Sequence, residues 1–270
     1  MTSSRSDDHG RGHSVLAVVI AALWLSICIA ALPQSPAPAG APQAPVTWLI
    51  FVDDLHLDFR NTGRIRNLIR TITKELIHEG DSFAIASSGR SSLAVDLTSD
   101  RRVLDPAIRA VTGNGLRFED VIQAPGSGEV LYRASLAATT ARSLLARLPA
   151  APPAPTALIY ISNGYSFEVL PEPPPGGRRF GPGRDFTRAE VRTQFTELTM
   201  TARSASVRIF TIGRSWPDDV TANPADPVWL AHQAESQRTL RAIAAEGDGF
   251  AILDRDWATQ LKRVADAMRK

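Results

Sequence analysis

Three side chains able to hold a cation or move a proton alternate with leucines in Asp54-Leu55-His56-Leu57-Asp58, directly after Asp53. In an extended chain that spacing puts alternate side chains on one side. Carboxylates suit a hard cation, and an imidazole beside carboxylates suits proton transfer. Other chemistry is scarce. Of the five histidines, His9 and His13 lie near the N-terminus, while His78 and His232 fall on predicted helices away from the end of the first strand. The one cysteine, Cys28, makes neither an internal disulfide nor a thiolate zinc cluster. No Ser-His-Asp or Cys-His set is legible, and no phosphate-cradling glycine loop follows the cluster.

What must position the cluster is a strand. Residues 46–53, VTWLIFVD, form a continuous apolar run of the kind buried on both faces of a parallel sheet. Ile65, Leu68, Ile69, Ile72 and Leu76 then recur at helical spacing among arginines, which predicts a helix covering that sheet. Further strands are expected at 82–88, 92–98, 156–162, 207–213 and 250–254. Helices are expected at 100–111, about 131–148, 187–204, about 235–245 and 257–268. Six strands with crossovers of this length predict an α/β, Rossmann-like doubly wound, mainly parallel sheet. The short SSGRS link makes 92–98 an antiparallel edge strand.

Composition narrows the function. With 270 residues, 44% hydrophobic and 21% charged, the chain is globular; Lys+Arg 30 against Asp+Glu 28 argues against a nucleic-acid binder. Residues 14–32 run without a charge, long enough to cross about 30 Å of hydrocarbon, as a membrane anchor or signal peptide. The length favours an uncleaved anchor. Arg5 and Arg11 precede the segment and no Lys or Arg follows until Arg60, which puts the domain on the exported side, in the cell envelope or secreted. The expected organisation is a cytoplasmic 1–13, this hydrophobic helix at 14–32, a Pro/Ala-rich spacer at 33–45 and one domain at 46–270.

Loops at the expected C-terminal end of the sheet supply candidate contacts. The Pro/Gly-rich stretch 164–186 carries Arg178, Arg179 and Phe180, and Arg184, Arg188 and Arg192 continue from it as a basic stripe. Phe118 and Trp216 sit in two further loops. Aromatics with polar neighbours suit a protein interface, and Trp216 and Trp229 equally suit capping of the sheet.

The order of these elements, with GDSFAIASSGRSSLAVDLTSDRRVLDPAI, LYRASLAAT, TALIYISNGYSF, VRIFTIG and LRAIAAEGDGFAIL, resembles a von Willebrand factor A domain over nearly all of 46–268. LIFVDDLHLDF with YISNGYSF resembles its exported bacterial branch. The resemblance implies a divalent-ion site at the strand ends, used mainly to bind proteins. In that family Asp-x-Ser-x-Ser, a later Thr and an Asp after the fourth strand hold the ion. Here Leu55 and Leu57 replace both serines, Glu129 stands at the threonine and Asn163 at the second aspartate.

Two readings follow. In one, Asp53, Asp54, His56, Glu129 and Asn163 form a rearranged set for Mg²⁺, Mn²⁺ or Ca²⁺. In the other, they are polar strand-end residues that bind no metal strongly. The winding is expected to bring all five to one end of the sheet. If they hold an ion, Asp53→Ala with Glu129→Ala abolishes its binding and leaves folding nearly intact. The function so implied is a non-enzymatic, membrane-anchored or secreted protein-interaction module of adhesion type. The alternatives are a metal-assisted hydrolase using His56 or Glu129 as base with Asp53 and Asp54 as ligands, and a metal-free envelope scaffold.

Overall fold

Strand β1 (Thr47–Val52) is buried along its whole length because both faces of the sheet are covered. The computed structural model describes residues 44–89, 93–117, 127–149, 152–167, 186–213, 226–253 and 256–270, and Ala44–Lys270 clusters as one compact unit. The hydrophobic segment 14–32, its spacer and the loop residues Phe118, Arg178, Arg179, Phe180 and Trp216 lie outside the described residues. Among the described residues no helix is long and apolar enough to cross a membrane.

The remaining strands are β2 (Ser82–Ser87), β3 (Ala94–Thr98), β4 (Thr156–Ile161), β5 (Val207–Ile212) and β6 (Ala251–Ile252). The helices are α1 (Thr62–Leu76), α2 (Leu104–Ala110), α3 (Ser127–Leu145), α4 (Arg188–Ser204), α5 (Pro227–Glu246) and α6 (Trp257–Met268). The sheet runs β3-β2-β1-β4-β5-β6, parallel except for the β2–β3 pair. This is the expected six-stranded α/β, von Willebrand factor A-like arrangement, with β1 central and β3 the antiparallel edge. Thr47 lies opposite Ser82 on one side and Thr156 on the other. The chain winds outward in opposite directions from β1 and β4, so the crevice of a doubly wound sheet falls between their C-terminal ends.

Period-2 alternation splits β1 between two cores. Trp48, Ile50 and Val52 join Ile65, Ile69 and Ile72 of α1, Leu104 and Ile108 of α2, and Leu261 and Val264 of α6. Leu49 and Phe51 face the opposite layer, where α3 presents Ala134, Ala137, Ala138 and Ala141. Those alanines let α3 pack close to the sheet.

At the opposite end from the crevice, one buried ion pair fastens the base. Asp81 accepts hydrogen bonds from the Val46 N–H at 2.8 Å and Trp48 Nε1 at 3.1 Å, and Arg269 Nη2 donates to it at 2.5 Å. Burial alone would raise the Asp81 pKa, but Arg269 and the backbone N–H groups of His78 and Val46 hold it below the usual carboxylate range.

Three local details depart from the sequence pattern. The helix expected at 100–111 opens with a 3₁₀ turn at Arg101–Val103. Helix α5 starts at Pro227, eight residues before the expected start. Asp54–His56 form a 3₁₀ turn, so Asp54, His56 and Asp58 do not alternate as on a strand.

Candidate functional site

Asp53 closes β1, with its N–H bonded to the Ile161 carbonyl at 2.8 Å. Its side chain is completely buried. One carboxylate oxygen accepts from Ser88 Oγ at 2.8 Å and meets His56 Nδ1 at 3.0 Å. The other accepts from Ser162 Oγ at 2.7 Å and the Tyr165 hydroxyl at 2.5 Å. Burial favours the neutral acid, yet the charge and hydrogen bond of His56, then Tyr165 and Ser162, outweigh it and lower the Asp53 pKa. The same Ser88 hydroxyl reaches buried Asp54 at 3.0 Å and accepts from the Leu55 N–H at 3.3 Å. Asn114 donates its N–H to the Asp54 carbonyl at 2.7 Å. These partners from β2 and the segment after α2 bend 54–56 into its turn.

The turn aims the His56 ring outward from Asp53. Its edge meets Tyr165 with ring centroids 4.7 Å apart. Because an ionised Asp53 only accepts, Nδ1 carries the proton between them. In the neutral ring Nε2 then offers a lone pair, and this buried atom has no hydrogen-bond partner. Behind it, Tyr165 contacts the hydroxyl of buried Tyr160. Burial, reinforced by the Asp53 charge, raises both phenol pKa values well above the ordinary range.

His56 belongs to the wall of a cleft of about 100 Å³ at the crevice. The loop after β4 forms a second wall through Asn163, Gly164 and Tyr165. Gly164 has φ +85°, and a Cβ there would collide with the Ser236 carbonyl, so glycine lets this loop lie directly on α5. Helix α5 supplies the third wall with Trp229, His232, Gln233 and Ser236. It begins early because Asp226 caps the Val228 N–H at 2.8 Å and Pro227 occupies the first turn. His232 stacks on Trp229, centroids 5.7 Å apart. Burial outweighs the opposing pull of Glu235 and, with a smaller contribution from His56, lowers the His232 pKa to about 4, so it is neutral at physiological pH.

Two guanidinium groups complete the lining, each tied to a carboxylate. Arg60 bonds Asp58 through Nε at 3.0 Å. Arg133 bonds Glu129 at 2.5 Å and also donates to the carbonyls of Asn114, at 2.5 Å, and Leu55, at 3.3 Å.

The sequence-derived candidates thus gather around one crevice in different roles. Asp53 lies beneath the cleft, His56 and Asn163 line it, Asp54 fixes the turn, and Glu129 holds Arg133. Leu57 is buried in the core and supplies no ligand atom. The set does not fit a hard divalent cation: both Asp53 oxygens already take protein donors, and no group of three His, Cys, Asp or Glu side chains suited to a metal occurs among the described residues. His232 overturns one expectation, since it lines the same cleft as His56 instead of lying away from it. Ser88 and Tyr165 lie inside phrases that carry the resemblance without being singled out for the site, Trp229 reads as a cap on the sheet, and Ser236 carries no motif. The Asp226-Pro227 helix start was the signal that could have brought α5 into the site.

The strand order β3-β2-β1-β4-β5-β6, with a cleft at its reversal, is that of a von Willebrand factor A-like α/β fold. No protein-family model and no curated protein sequence matches the chain. Among solved structures, an aerotolerance-related membrane protein from Bacteroides fragilis NCTC 9343 is similar at a TM-score of 0.45 and 11% identity, over 83% of this chain and 98% of that one. The human COPII-coat protein Sec24c is similar at 0.35 and 13%, over 84% of this chain and 33% of that one.

Proposed function

We propose that this chain is a metal-independent protein-interaction module, displayed on the exported side of a membrane by residues 14–32, whose strand-end cleft receives a group from a partner. The observation that carries this reading is the saturation of Asp53 by Ser88, Ser162, Tyr165 and His56. A carboxylate so engaged serves as an internal hub, and it leaves an ordered polar cleft above it. Exposed Phe59, between the cleft residues Asp58 and Arg60, gives that end an apolar contact. A photo-crosslinking residue at Phe59 in the full-length chain is expected to capture a partner in the presence of EDTA, while one at exposed Leu97 on β3 captures none. Capture abolished by EDTA would refute metal independence, and equal capture at both positions would refute the site.

One observation favours a second reading. A buried carboxylate orienting an imidazole toward a cleft is the arrangement of a general base, so a hydrolytic role for His56 is the alternative. Among the described residues no hydroxyl lies within hydrogen-bond reach of its Nε2. Such an enzyme would therefore activate water, and His56→Gln would abolish turnover of any substrate found.

A further inference from the structure

Most buried polar side-chain atoms in a folded protein find a partner, and the exceptions mark places that are completed by something else. Four exceptions among the described residues belong to side chains lining one cleft: His56 Nε2, Asn163 Oδ1, His232 Nδ1 and Ser236 Oγ. They come from the turn after β1, the loop after β4 and α5, segments distant in sequence, so no single local turn accounts for their coincidence. Asn163 Oδ1 and Ser236 Oγ offer lone pairs, and His56 Nε2 offers one in the neutral ring, whose single N–H, on Nδ1, is committed to Asp53.

The charges around the cleft have a definite balance. Asp53, Asp54, Asp58, Glu129 and Glu235 stand in or beside it, against Arg60, Arg117 and Arg133. Carboxyl groups outnumber guanidiniums, and Arg60 and Arg133 are already held by Asp58 and Glu129. Uncharged acceptors over an acidic floor, flanked by the rings of Tyr165 and Trp229, suit a cation that donates hydrogen bonds and tolerates aromatic walls. An anion would meet lone pairs, and a hard metal ion would lack anionic ligands.

We infer that the cleft binds a primary ammonium group, supplied by a lysine side chain of the partner. Its three N–H donors are shared among these acceptors, and about 100 Å³ holds the headgroup with the first methylenes behind it. This rests on the interaction-module reading, but it is tested with small molecules, so either can fail without the other.

The test uses the full-length chain with ¹⁵N-labelled histidine, the His56 signals being identified by their loss in His56→Gln. Methylammonium and Nα-acetyl-lysine amide are titrated in turn, with sodium acetate and zinc chloride as competing chemistries. Both amines are expected to saturate and to move the Nε2 resonance of His56. Asn163→Asp should tighten methylammonium about tenfold by turning a neutral acceptor into a charged one, and Ser236→Ala should weaken it by roughly fivefold. Saturation by methylammonium alone keeps the ammonium site and assigns its source to a free amine. Saturation by acetate, preference for zinc over the amines, weaker amine binding in Asn163→Asp, or failure of both amines to saturate overturns the assignment.

Discussion

Replacing Asp53 by asparagine removes one charge and almost no volume, and the structure fixes what that should cost. The carboxylate receives two donors on each oxygen, Ser88 and His56 on one and Ser162 and Tyr165 on the other. Asparagine keeps one acceptor oxygen and turns an NH₂ toward the other pair, so two charge-assisted hydrogen bonds are lost. At about 2 kcal/mol each the loss is about 4 kcal/mol, equivalent to a fall of roughly 10 °C in melting temperature for a domain of this size. The pH dependence sharpens the test. Because the folded pKa of Asp53 lies below its unfolded value, its contribution is present above about pH 4 and fades as pH falls through the folded value. Urea unfolding of both proteins across that range is expected to show a gap that closes in acid. A gap below about 1 kcal/mol at neutral pH, or one independent of pH, would refute Asp53 as a hub. The geometry also reverses the expectation that Asp53→Ala with Glu129→Ala leaves folding nearly intact, since these carboxylates hold Tyr165, His56 and Arg133 and do not stand as mutually repelling neighbours.

His232 titrates in the same sense over a higher range: with its folded pKa at about 4 and an ordinary value of 6.5, the unfolded chain binds the extra proton, so stability falls as pH falls from 6.5 toward 4. About 3 kcal/mol should be lost over that window in the wild type and not in His232→Gln, measured by denaturant midpoints in buffered steps. Arg269→Ala leaves Asp81 buried with only neutral donors and is expected to cost about 3 kcal/mol in the same assay; a change under about 1 kcal/mol would mean the base is held by apolar packing alone. Gly164→Ala forces a left-handed backbone and a collision with α5, for an expected loss of about 2 to 4 kcal/mol by thermal unfolding.

The strands were legible because a parallel sheet buried on both faces demands unbroken apolar runs such as TWLIFV and TALIYI, a signal that needs no tertiary information. Capping chemistry fixed α4 equally well, through the reciprocal Thr187 and Glu190 box. The site was legible only as a location. That Asp53 and Asn163 leave adjacent strands follows from the winding order. The pairing of Asp53 with His56 does not, because it depends on a 3₁₀ turn fixed by Ser88 and Asn114 from elsewhere in the chain. The Glu129–Arg133 pair was readable from its i, i+4 spacing, and considering Glu129 as a ligand obscured it. Helix α5 was missed at its start because its first turns carry no clear apolar period, and with them went the place of Trp229 and His232 in the cleft wall.

Two of the three tyrosines, Tyr160 and Tyr165, stand one behind the other beneath the cleft, and their hydroxyl protons are retained well past the alkaline range in which an exposed phenol ionises. Light absorption by tyrosinate therefore becomes a built-in gauge of integrity. In a slow base titration these two chromophores stay dark while the crevice is intact and appear together when it opens, so an untagged, unlabelled sample announces the opening of its own crevice.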